Sequence, residues 1–189
     1  MIDLLGIASQ CTLCAEQLPL GAKPVFSASK SSRILIVGQA PGLAVHTSGI
    51  PWDDKSGSNL RDWLAVDHAQ FYNPDIFGIV PMAFCYPGRG KSGDLPPSKE
   101  CAPQWHNKFL AEMNQLELIL LIGKYAQDYY LPTDKTNLTT RVRNFQKYLP
   151  KYFVLPHPSP RNNIWQAKNE WFKASVLPEL KNKVHQLIS

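Results

Sequence analysis

No stretch of this sequence is apolar over the roughly 20 consecutive residues that a bilayer-spanning helix needs. Its opening residues do not combine a basic start, a long apolar run and a small-residue cleavage site, so a cytoplasmic address without membrane association is the expectation. Acidic side chains are the minority among the charges, 15 against 20 basic ones, and the net +5 permits a polyanionic partner without demanding one. Cysteine is scarce too, four in 189 residues, and in a reducing compartment four thiols are better read as metal ligands than as disulfides. What remains is ordinary: 44% hydrophobic and 19% charged residues, in a length that fits one monomeric domain over residues 1–189 with a substantial core.

The chain is organised around Ile34 to Gly42. Ile34, Leu35, Ile36 and Val37 are four consecutive β-favouring residues that stop at Gly38, Gln39, Ala40, Pro41 and Gly42. A strand apolar on both faces belongs inside a parallel sheet, and in open sheets of that kind the ligand crevice lies beyond the carboxyl ends of the strands. A site is therefore expected just after Val37, where Gly38 and Gly42 permit close backbone approach and Pro41 fixes one φ.

Residues 1–17 have weak helical periodicity and deliver Cys11 and Cys14 as a C-x-x-C, a spacing shared by zinc knuckles, cluster ligands and redox pairs. Residues 18–32 read as an extended surface connection. Residues 43–55 carry His46, Trp52, Asp53 and Asp54 and read as too polar and too broken by Gly and Pro for a regular element. A helix is expected from about Ser56, capped by Ser56 or Ser58, with Leu60, Trp63 and Leu64 on one apolar face. Next come a strand over 76–82 and a basic, glycine-rich loop over 83–96 with Cys85, Arg89 and Lys91, suited to phosphate contact. A helix over 99–116 starts near Cys101 and has Leu110, Met113 and Leu116 at helical spacing. A strand over 117–123, helices over 124–131 and 137–148, and a last strand over 152–155 lead to His157, Pro158, Ser159, Pro160, Arg161, Asn162 and Asn163. A helix from 164 to the end, interrupted near Pro178, closes the chain. Strands alternating with helices imply a three-layer α/β/α fold with a mostly parallel central sheet of about four strands, whose loops after Val37 and Leu155 emerge at one edge and can form one pocket.

The run Gly38 to Gly42, followed by Gly49-Ile-Pro-Trp52 and closed by His157-Pro-Ser-Pro-Arg-Asn162, resembles the uracil-DNA glycosylase superfamily. Cys11, Cys14, Cys85 and Cys101 resemble the ligand spacing of its branch that carries a 4Fe-4S cluster, and the resemblance extends over about residues 8–180. It implies a monofunctional DNA repair glycosylase that flips uracil or a related deaminated base out of DNA and hydrolyses its N-glycosidic bond. His157 then donates to a pyrimidine O2, with its tautomer set by Ser159 and nearby backbone. The backbone N–H groups of Gln39 and Ala40 add hydrogen bonds, and Trp52 covers the extruded ring; Gly38, Pro41, Gly42 and Asn162 complete the pocket. Arg161 stands where the superfamily inserts a wedge into the base stack, as in the single-strand-selective branch, while Arg89 and Lys91 meet phosphates. The cysteines hold the cluster, or zinc as the alternative.

The sequence departs from that pattern at informative places. Ala40 stands where one branch has a water-activating Asp, Gln39 replaces a usual Glu, and Pro81 replaces the Asn that reads uracil's Watson–Crick edge. His46, Asp53 and Asp54 are the remaining candidates for positioning water. The alternative reading is a metal-stapled nucleic-acid-binding protein whose pocket is degenerate.

Overall fold

The protein is described by a computed structural model covering residues 1–188. Its elements in order are α1 (Ile2–Ser9), β1 (Ile34–Val37), α2 (Leu43–Ser48), α3 (Lys55–Leu64), α4 (His68–Phe71), β2 (Phe77–Ile79), the short pair β3 (Arg89–Gly90) and β4 (Gly93–Asp94), α5 (Cys101–Glu112) and β5 (Leu118–Ile122). The chain continues with α6 (Lys124–Tyr130), α7 (Leu138–Arg143), β6 (Tyr152–Leu155), α8 (Asn163–Lys168) and α9 (Leu177–Ile188).

The central sheet has four strands in the order β2-β1-β5-β6, and every neighbouring pair is parallel. All residues of β1, β2 and β5 are buried, which is why these strands are apolar throughout rather than alternating. From β1 the chain steps outward to β2, then returns to β5 on the other side of β1. Right-handed crossovers consequently put α3 on one face and α5 and α6 on the other, giving the three-layer α/β/α architecture. The reversal also makes the carboxyl end of β1 a topological switch point, the place where open parallel sheets hold ligands. The core beneath it is aromatic, with Phe71, Phe77, Phe84, Phe109, Phe153 and Phe172 fully enclosed.

Several local expectations need correction. Residues 43–48 do form a helix, because Gly42 opens it and Gly49, in the left-handed region at φ 75°, closes it. The cap of α3 is Asp54, whose Oδ1 accepts from the Gly57 N–H at 2.8 Å; Ser56 is buried instead. Residues 83–96 contain the antiparallel β3–β4 hairpin, with Lys91 and Ser92 at its tip. The strand expected over 76–82 is regular only over Phe77–Ile79. The buried face of α5 is Cys101, Ala102, Trp105, His106 and Phe109, whereas Leu110 is only partly covered and Met113 lies past the helix end. The helix expected over 137–148 breaks at Asn144 into α7 and a 3-10 turn, Phe145–Tyr148. At the end of the chain the interruption falls at residues 169–170, between α8 and a π-helical turn Phe172–Val176 that runs into α9. Pro178 follows directly on that π-helical turn, and the helical backbone runs through it without a break; residue 189 of that expected helix lies outside the described residues.

The extended connection before β1 also has a structural job. Ser27 bridges Ile79 antiparallel and the Val25 N–H bonds Phe84 O at 2.7 Å, so this segment covers the free edge of β2 and brings Val25 into the site.

Candidate active site

A cavity of about 340 Å³ opens at the switch point, lined by the loop after β1, the segment leading into α3, the β3–β4 hairpin and the loop after β6. Gly38, Gln39, Ala40, Pro41, Gly42, Trp52, His157, Ser159, Arg161 and Asn162 all line it, so residues up to 124 positions apart in sequence meet as expected.

His157 is held at several points. Its Nδ1 accepts the backbone N–H of Ser159 at 3.2 Å, its carbonyl accepts from Asn162 Nδ2 at 2.7 Å, and the next carbonyl, of Pro158, accepts from Asn59 Nδ2 at 2.8 Å. With Nδ1 an acceptor, the proton of the neutral ring sits on Nε2. Burial pushes the His157 pKa down from its ordinary value, opposed by the negative charge of Asp54, so the ring is neutral at physiological pH. Ser159 thus meets the ring through its backbone N–H, while its hydroxyl accepts the Arg161 N–H at 3.3 Å and caps the short 3-10 turn Pro160–Asn162.

Trp52 is fixed by backbone strain and close packing. Its φ is 58°, a left-handed conformation that costs a non-glycine residue free energy and persists only when the surroundings impose it. Gly57 imposes it from α3: a Cβ there would stand 1.7 Å from the Trp52 carbonyl oxygen. Arg61, one helical turn on, reaches the same carbonyl at 3.5 Å and stacks over Phe71 and Tyr72. The indole then lies across Gly38, where any Cβ would meet Trp52 Cζ2 at 2.8 Å, and its ring centre is 5.5 Å from that of His157. Gly38 is required for that close approach.

The pocket wall contributed by the end of β2 is anchored from behind. His106, 1% exposed on α5, has its Nε2 3.0 Å from the Pro81 carbonyl and its Nδ1 2.7 Å from the Tyr130 hydroxyl. Read with Tyr130 donating to Nδ1, the ring donates Nε2–H to Pro81 and both nitrogens are satisfied. Burial lowers the His106 pKa to about 4, so it works as a neutral strut.

Two expected catalytic side chains do not reach the cavity. His46 lies on α2 with its ring 5.9 Å from that of Tyr86, and its Nδ1 is buried without a hydrogen-bond partner among the described residues. Asp53 is exposed and outside the lining, because the turn that lifts Trp52 inward carries its neighbour outward. The carboxylates that do line the cavity are Asp54 and Asp94. Gln39 uses its side chain to tie the loop to the hairpin, donating Nε2–H to Leu95 O at 3.3 Å. Arg89 and Lys91 are exposed on the hairpin, and Arg161 is exposed at the cavity mouth with Nη1 2.8 Å from where a Cβ of Gly93 would be.

A second cavity, of about 260 Å³, is lined by Cys11, Cys14, Cys85 and Cys101 together with Leu13, Leu18, Phe84 and Leu95. The helix α1 packs against α5, which brings the C-x-x-C to Cys101 from the far end of the sequence. All four thiols are free. Among the described residues no three Cys, His, Asp or Glu side chains converge on a single-ion site; the thiols surround a space instead. Burial first, and the neighbouring sulfurs to a smaller extent, push the Cys101 thiol up to about 12 and the Cys85 thiol upward. Backbone hydrogen bonds from Lys23 to Cys85 and from Phe84 to Cys101 oppose that rise, and a bound cation would favour the thiolates as well. Leu95 faces this second cavity while its carbonyl holds Gln39 of the first, so one hairpin touches both.

Compared with known protein families, residues 25–181 match the family model of the Uracil DNA glycosylase superfamily. That span contains the whole parallel sheet, both loops that frame the larger cavity, and the hairpin between them. The chain therefore belongs to the uracil DNA glycosylase superfamily.

Proposed function

We propose that this protein is a monofunctional DNA glycosylase that extrudes uracil or a related deaminated base into the larger cavity and hydrolyses its N-glycosidic bond. Membership of the superfamily supports a glycosylase-type activity on DNA. The observation that carries the finer reading is the fixed, neutral His157, whose Nδ1 is occupied by the Ser159 N–H and whose Nε2–H is left to donate. Bond cleavage puts negative charge on the departing base, and a donor already oriented toward that charge stabilises the transition state more than the ground state. Trp52 covers the flipped ring, and the N–H groups of Gln39 and Ala40 supply further donors. Among the described residues no lysine lines the cavity, which fits water rather than an amine as the nucleophile. Arg161 at the mouth serves as the wedge that fills the vacated stack, with Arg89 and Lys91 giving sequence-blind affinity for phosphates.

A 4Fe-4S cluster rather than zinc is the group we propose for the cysteine cavity: the spacing of its four thiols resembles that of the cluster-bearing branch, and all four line one cavity. Cys11, Cys14, Cys85 and Cys101 would hold it. Bound there, it supplies metal–thiolate bonds that fasten the amino-terminal segment to α5 and to the base of the hairpin, and the base-release chemistry does not pass through it.

The test uses uracil-containing single-stranded and duplex oligonucleotides, with and without alkali. Scission that requires alkali and is abolished by His157→Ala is the expected result. Scission without alkali contradicts the monofunctional mechanism, and tight binding without scission favours the metal-stapled binding protein.

A further inference from the structure

We infer that Asp94, presented by the β3–β4 hairpin, is a catalytic residue of this pocket: its carboxylate faces the sugar, positions the attacking water and stabilises the positive charge that develops at C1′. The inference rests on the glycosylase reading above. Hydrolysis of an N-glycosidic bond calls for a negative group near the sugar as well as a donor near the base. The loop after β1 offers none, since residue 40 is Ala and residue 39 is Gln. His46 and Asp53 lie off the lining. Of the two carboxylates that line the cavity, Asp54 has Oδ1 engaged as the cap of α3.

Asp94 differs in each respect. Its Oδ2 lies 3.4 Å from where a Cβ on Gly42 would stand, so the carboxylate leans over the end of the β1 loop. It makes no hydrogen bond or ion pair to any other side chain among the described residues. Arg161, although packed on the adjacent Gly93, forms no ion pair with it. The hairpin holds it there: the Asp94 backbone lies opposite that of Arg89 in the β3–β4 register, Leu95 N–H bonds Gly88 O at 2.9 Å, and Gln39 Nε2 bonds Leu95 O. Topology adds to this, because the hairpin follows β2 and His157 follows β6, so the two groups reach the cavity from opposite edges of the sheet.

Charge bookkeeping makes the placement informative. Arg161 lines the cavity and Arg89 and Lys91 are exposed on the same hairpin as Asp94, and a carboxylate set among cations that would meet DNA repels phosphates. A docked strand excludes water from the mouth, which strengthens the pull of that carboxylate on a nearby cation. In the step itself, the C1′–N bond breaks with its electron pair leaving on the base, which accepts a hydrogen bond from His157 and then a proton from solvent. Water adds its oxygen to C1′ and passes a proton to Asp94, which returns it to solvent; one water is consumed, and a free base and an abasic sugar are formed.

The test needs no turnover. Oligonucleotides carrying either a cationic pyrrolidine abasic analogue or its neutral tetrahydrofuran counterpart are titrated against wild type and Asp94→Asn by fluorescence anisotropy. Wild type should favour the cationic analogue by ~10-fold or more, the ratio expected of one close charge pair. Asp94→Asn should bind the two alike and hold the neutral one at least as tightly as wild type does. A preference that survives Asp94→Asn, or a wild type without preference, overturns the assignment. Failure of the glycosylase reading shows separately, as absence of base release by wild type.

Discussion

Replacing Gly57 by alanine should dismantle the stacking wall of the pocket from behind. In an unconstrained helix this change is favourable by about 1 kcal/mol, because alanine is the better helix former. At Gly57 the new methyl would stand 1.7 Å from the Trp52 carbonyl oxygen and 2.9 Å from its Cβ, where Cβ contacts under 3.0 Å are essentially never found. The obstacle is backbone, so the Trp52 peptide must retreat by more than about 1 Å, out of the left-handed conformation that aims the indole across Gly38. Overpacking of this kind costs about 1–3 kcal/mol, which outweighs the gain in helix propensity. A displacement of about 1 Å in a positioning group costs on the order of 100-fold in rate. Urea unfolding followed by circular dichroism, with single-turnover base release from a uracil oligonucleotide, reads both effects. Gly6→Ala on α1 is the control: the added methyl meets nothing within 4 Å, so it should stabilise by about 0.5–1 kcal/mol and leave the rate alone. If Gly57→Ala is as stable as wild type and equally fast, the steric account of Trp52 is wrong.

Arg161→Ala should slow base release from a paired duplex much more than from a single strand, by at most the few kcal/mol that unstacking costs; equal slowing would make Arg161 a phosphate contact or a support for the His157 loop. His106 is held neutral, with its pKa lowered from 6.5 to about 4, so the unfolded chain takes up that proton first as the pH falls. The resulting stability is full above pH 6.5 and is lost toward pH 4, by up to about 3 kcal/mol. Urea unfolding at both pH values should show a smaller difference in His106→Asn than in wild type, and an undiminished difference refutes the assignment. Protein purified without oxygen should carry iron and acid-labile sulfide, and Cys101→Ala should lose both and melt at a lower temperature; zinc without visible absorbance would rule out the cluster.

The fold was legible where one rule dominates a segment. Ile34 to Val37 and Leu118 to Ile122 are short continuous apolar runs that stop at glycine, the pattern of a strand buried on both faces, and both are strands where expected. Local rules failed where long-range contacts decide. Residues 43–48 are polar enough to read as loop, yet two flanking glycines suffice to close a short helix. The cap of α3 moved from Ser56 to Asp54 because the serine is needed inside, against the pocket wall. In the site, His157, Trp52 and the glycines of the first loop were readable because motif and strand end coincide. Asp94 was not, since an Asp two residues beyond a basic hairpin tip looks like a solvated turn residue until β3–β4 pairing folds it over Gly42. Asn59, Arg61 and His106 carry no sequence signal at all: each supports the pocket through a bond to backbone that is distant or out of register.

The central claim is that this cavity releases a base from DNA through His157. Mass spectrometry of single-turnover reactions on oligonucleotides bearing uracil, hypoxanthine or xanthine measures it directly, by detecting the free base and the unbroken abasic strand together. The account predicts both products with wild type and release slowed by ~100-fold or more in His157→Ala, the usual cost of a preorganised donor. Saturating DNA binding with no free base from any of the three, or an undiminished rate in His157→Ala, would contradict it.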